Sequence, residues 1–210
     1  MPPSRAIFRT LCQALRGAIR GALHGALHGV NRSTTAAAAV VLTAALGGAA
    51  CSPTFDWREV RADASGMQAL LPCRPSPQTR RVRLAQAEVA LTLVACRAGD
   101  VTWALAYADM EDPARVAAAL AALREAAQKN FGGAGASRAP TPPPLKVPGA
   151  TPNPGAGRFA VDGSLPDGQP VHAQYAVFTR GTWVFQATCV GAALPAEAVE
   201  TFFDGLRAPT

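Results

Sequence analysis

The residues after position 50 whose types carry chemistry are one histidine, a carboxylate trio and four cysteines. His172 lies in an alternating stretch, VHAQYAVFT, two residues before Gln174. An imidazole there would be the general base of a hydrolase only if folding brought it a nucleophile and an orienting acid. None of the five serines beyond residue 50 (Ser52, Ser65, Ser76, Ser137, Ser164) stands in a Gly-x-Ser-x-Gly elbow. A solvent-facing strand histidine accounts for the same residue more simply. Asp109, Glu111 and Asp112 follow a strand-like run, and such a trio has the hard oxygens that hold Ca²⁺. A turn followed by a helix N-cap explains the trio with fewer assumptions. The chain has no phosphate-cradling loop, zinc ligand set or cofactor motif, so the expectation is a protein with no catalytic residues, metal or cofactor of its own.

Cys51 is different, because what surrounds it reads as a processing signal. It follows the charge-free run AAAAVVLTAALGGAA, residues 36–50. As a helix that run reaches only about 22 Å, against roughly 30 Å of hydrocarbon, so a cleaved signal is preferred to a permanent span. A basic flank, a short apolar core, the small residues Ala49 and Ala50 and then cysteine resemble a bacterial lipoprotein signal. The resemblance implies a thioether-linked diacylglycerol and an amide-linked acyl chain, such as palmitate, on Cys51, which together anchor the protein stably to a membrane. Gly48 stands where such signals usually carry Leu, and Gly48 with Ala50 also suits ordinary signal peptidase; plain secretion and an uncleaved anchor are the alternatives. Ser52 is not the Asp that holds such proteins at the inner membrane, so the expected address is the periplasmic face of the outer membrane.

Charge divides the chain at the same place. The net charge is +6, and residues 1–50 hold Arg5, Arg9, Arg16, Arg20 and Arg32 with no acid. Removing them leaves 15 basic residues against 14 acidic ones. The basic excess therefore belongs to a targeting leader, and a nucleic-acid partner is not expected. Within that leader Gly17, Gly21, Gly25 and Gly29 recur every fourth residue, beside Arg16, Arg20, His24 and His28. Four glycines disfavour a helix by about 1 kcal/mol each, and two histidines alone make no metal site, so this stretch reads as a basic leader extension.

The remaining 160 residues suit one domain. Residues 51–66 read as a tether, with Phe55 and Trp57 expected to pack on the domain. The domain proper, 67–210, opens with strands at Met67–Pro72, Arg81–Leu84, Glu88–Cys96 and Val101–Asp109, each marked by a period of two. Asp112 and Pro113 then cap and start a helix with a stripe of Val116, Ala119, Leu120, Leu123 and Ala127, ending near Asn130. A Pro/Gly-rich loop is expected over 132–157, with a brief extended edge at Leu145–Val147. Strands follow at Arg158–Ser164, Val171–Thr179 and Thr182–Val190, turning at Pro166-Asp167-Gly168 and at Arg180-Gly181. A last helix from Pro195 aligns Val199, Phe202, Phe203 and Leu206. The prediction is α+β: an antiparallel sheet of six to seven strands with two helices packed on one face.

These strands place the cysteines. If residues 81–84 and 88–96 form a hairpin, the chain just before the first lies beside the end of the second, so Cys73 is expected to bond Cys96. Closing that loop is worth about 3 kcal/mol in the chain-entropy picture. Cys189 alternates with Trp183, Phe185 and Ala187 and reads as a core residue.

Two resemblances follow from quoted residues. Leu71-Pro72-Cys73-Arg74-Pro75, a hairpin and then WALAYAD (103–109) before a helix look like small lipoproteins of proteobacteria. The stretch 67–130 is also similar, more distantly, to the PsbP-like α+β fold, where a strand ending near a Pro-x-Lys/Arg-Pro turn precedes a meander and helix. They imply a fold and an accessory or assembly role. The expectation is a lipid-anchored envelope protein that binds another envelope protein or a small ligand. Its rivals are a periplasmic hydrolase using His172, and a carrier of a hydrophobic ligand with a cavity lined by Trp103, Tyr107, Trp183 and Phe185.

Overall fold

Alternation along the chain becomes a pleated sheet with two different buried faces. The computed structural model describes residues 54–62, 65–130, 143–164 and 168–208. Its strands are β1 Arg58–Ala62, β2 Met67–Leu71, β3 Ser76–Leu84, β4 Ala87–Ala98, β5 Val101–Asp109, β6 Gly157–Ser164, β7 Pro170–Arg180 and β8 Trp183–Gly191. Its helices are α1 Pro113–Lys129, between β5 and β6, and α2 Ala196–Asp204. Six strands form one antiparallel sheet in the order β3-β4-β5-β8-β7-β6, and β1 pairs with β2 in a separate hairpin. The fold is α+β.

Short turns set the register. Ala85 and Gln86 take φ of 48° and 66° between β3 and β4, the left-handed pair that a two-residue hairpin loop demands. Gly181, at φ 57°, opens the loop that sets Arg180 opposite Trp183. Asp112 caps α1 as expected, its Oδ1 accepting from the Ala114 amide at 2.9 Å, and the predicted stripe of Val116, Ala119, Leu120, Leu123 and Ala127 is the buried one.

The two helices lie on opposite faces of the six-stranded sheet, which corrects the expectation that both cover one. On one face α1 packs with Val82, Val89, Leu91, Ala106, Ala108, Tyr175, Val177 and Val184. On the other, α2 and the β1–β2 hairpin pack with Val101, Trp103, Leu105, Phe178, Phe185, Ala187 and Cys189. The reason is the pleat: neighbours such as Leu105 and Ala106 point to opposite sides, both are buried, and each side must be covered. An amphipathic stripe announces that a helix docks without saying on which side of the sheet.

Two further elements differ from expectation. Five residues of the supposed tether form β1, in register from Arg58 opposite Leu71 to Ala62 opposite Met67. Residues 132–142 of the Pro/Gly-rich loop lie outside the described residues, but its later part is packed. Leu145 and Val147 sit against the aromatic core, and the Thr151 amide donates to the Thr179 carbonyl at 2.8 Å. Among the described residues, no helix is long and apolar enough to cross a membrane.

Candidate functional site

Three groups of the expected residues meet real partners, and the strands decide which. Cys73, just after β2, is bonded to Cys96 near the end of β4 across a Cα–Cα distance of 5.9 Å. Ser76 opposite Ala95 begins the β3–β4 ladder, so the residues just before β3 lie beside the end of β4. The bond thereby ties the β1–β2 hairpin to the main sheet. Cys51, the expected lipidation site, lies outside the described residues.

Cys189 is fully buried beside Trp103. Burial pushes its thiol up to about 12, outweighing a hydrogen bond to the Gln174 carbonyl and the charge of Arg158, which act the other way. A thiol so held stays protonated and is no nucleophile at neutral pH.

His172 is half-exposed on β7, and opposite it on β6 stands Asp162. Nδ1 of His172 donates to Oδ1 of Asp162 at 2.7 Å, because a carboxylate only accepts. This is how a base is oriented in hydrolytic sites. The other half of such a site is a hydroxyl or thiol on Nε2, and among the described residues no hydrogen bond joins His172 to one. Asp162 was missed in the sequence, although the predicted turn at Pro166-Asp167-Gly168 holds the signal. A hairpin centred on Asp167 sets residues 162 and 172 opposite each other.

A second polar cluster had no sequence signal. Arg158, on β6, has a buried side chain that forks onto Glu200 of α2 at 2.8 and 2.9 Å, while the same guanidinium reaches Gln174 Oε1 at 2.9 Å. It also lies 4.1 Å over the Phe203 ring. The hydrogen bonds from Arg158 hold the Glu200 carboxyl below its ordinary value, against a smaller burial effect. The cluster latches α2 to the sheet.

The carboxylate trio resolves into local structure. Asp109 accepts from the Glu111 amide at 2.8 Å and Asp112 caps α1. Among the described residues, no three His, Cys, Asp or Glu side chains are grouped to hold a metal ion. The rings proposed to line a hydrophobic cavity are packed on neighbours. Trp103 meets Phe202 edge-on at 5.3 Å, Phe185 stacks on Phe178 at 4.9 Å, and Tyr107 lies 6.1 Å from Trp183. No protein-family model and no curated protein sequence matches this chain, so a functional reading rests on its own residues.

Proposed function

We propose that the protein is a lipid-anchored envelope protein, held through acylated Cys51 to the outer membrane and facing the periplasm, whose α+β domain binds another envelope component. The observation that carries this reading is the Cys73–Cys96 bond in a domain that follows closely on the lipoprotein-like signal. Such bonds persist in oxidising compartments and are rare in the cytosol. Within the domain, Asp112 caps α1, Glu200 latches α2 to the sheet, and the buried Cys189 thiol stays protonated.

The deciding experiment is mass spectrometry of the full chain purified from bacterial membranes. An N-terminal peptide beginning at Cys51 with acyl chains supports the reading, and Cys51→Ala should leave the protein unacylated. An intact leader on the mature protein, or an unacylated terminus, overturns it. Crosslinking in intact envelopes then identifies the bound component.

A second reading, a hydrolase based on His172, is favoured by the 2.7 Å bond to Asp162. It requires turnover of an ester or amide substrate that His172→Ala abolishes while the circular dichroism spectrum stays unchanged.

A further inference from the structure

One end of the six-stranded sheet is marked by a row of paired residues. Ala98 faces Val101, the next pair along, Thr102 with Val190, brings Val101 beside Gly191, and His172 joins Gly191 to Asp162. The chain enters the domain at this end. A Cβ on Gly99, in the β4–β5 turn, would lie 3.6 Å from the Thr54 side chain. Two residues on, the Asp56 amide donates to the Pro72 carbonyl at 2.9 Å, and the Cys73–Cys96 bond holds that stretch to β4.

Covalent geometry then limits the anchor. Three peptide units separate Cys51 from Thr54, which cannot span more than about 11 Å. The opposite end, with Asp109, Trp183 and Arg180, lies eight residues away along β5, about 26 Å. The lipid headgroup layer is only about 5–7 Å deep. The entering end is therefore tied close to the lipid surface, and the short link gives the domain little room to rise from it.

We infer that the domain stands on the headgroup layer by this end of the sheet, with the β4–β5 turn and the His172–Asp162 pair against the lipid and the Gly181 and Gln86 turns pointing away. Charge permits the contact with anionic lipid. The acids Asp56 and Asp100 are each paired with an arginine, Arg58 and Arg97, Asp162 is hydrogen-bonded to His172, and Arg74 is exposed nearby, so like-charge repulsion is muted. Phe55 and Trp57, partly buried against Trp103, bring aromatic rings to the same end, a residue type suited to membrane interfaces. The inference rests on the acylation of Cys51.

With Trp103, which lies 6.3 Å from Trp57, removed throughout by Trp103→Phe, two tryptophans report the orientation, Trp57 near the entering end and Trp183 at the far one. The full acylated protein is placed in phosphatidylcholine vesicles containing a headgroup-nitroxide lipid, which quenches only nearby indoles. Trp57→Phe should remove most of the quenching, and Trp183→Phe should leave it nearly unchanged. A ten-residue Gly-Ser insertion between Pro53 and Thr54 should also remove most of it, which serves where Trp57→Phe disturbs packing. Equal loss in the two tryptophan variants, or no quenching of a protein shown to be acylated, overturns this inference alone. An unacylated N-terminus overturns both it and the proposed function.

Discussion

One face of the central sheet is closed by α1, a single run of 17 contiguous residues, whereas the other needs four separate stretches. These are residues 55–62, β2, the segment around Leu145 and Val147, and α2 with the residues after it. The first face is largely aliphatic and rests on small residues such as Ala106, Ala108 and Ala119. The second is aromatic, with Trp103, Phe178, Phe185, Phe202 and Phe203 in contact. A helix already in place docks at little cost in loop closure, but pieces far apart in sequence each carry that entropy. The long-range fasteners are accordingly on the second face: the disulfide, the Arg158–Glu200 fork, and Arg207 on β2's Gln68 and β1's Glu59.

The largest test of that contrast removes one packed side chain from each face. Phe202→Ala should destabilise by about 3–5 kcal/mol and Leu120→Ala by about 2–5 kcal/mol in urea unfolding, both being fully buried. If neither loss exceeds that of an exposed alanine substitution, the two faces are not the cores described. Next, replacing Cys73 and Cys96 by serine should cost about 3 kcal/mol. Hydrogen exchange should then quicken in the β1–β2 hairpin before α1; uniform quickening would show that the bond serves both faces alike.

Smaller effects sharpen the comparison. Asp112→Ala removes the cap of α1 and should cost about 1 kcal/mol, with faster exchange confined to the first turn of that helix. Least of all is the pH dependence of the latch. The folded Glu200 carboxyl sits below its ordinary value of 4.5, so its contribution is complete above that value and is lost as pH falls through the lower folded one. Wild type should lose its stability advantage over Glu200→Gln on acidification below about 4.5, and an advantage that grows instead would refute the latch. Glu200 is half-exposed, so the difference is small.

Much of the fold was legible because its signals are local. The Asp112-Pro113 start of α1, the alternation of β4, β5, β7 and β8, and the glycine turn at Gly181 each depend on residues within one element or hairpin. β1 escaped notice because its sequence REVRA is charged and mostly exposed, and its alternation is carried by Val60 and Ala62 alone. The first six residues of β3 are likewise exposed on a sheet edge. Of the site residues, the Cys73–Cys96 pair could be read from hairpin geometry. Asp162 was recoverable only by folding the Pro166-Asp167-Gly168 turn on paper, and Glu200 offered no hint, since it reaches Arg158 across 42 residues of chain.

Taken alone, the amino-acid order determined most of the periodic elements, the Asp112 cap of α1 and the favoured pairing of Cys73 with Cys96, all of which follow from spacing along the chain. Only tertiary structure decided that the helices part to opposite faces, that residues 58–62 join the body, and that His172 meets Asp162 while Arg158 meets Glu200. Those outcomes depend on strand order and register, which are fixed when both sides of a pleated sheet must be buried at once.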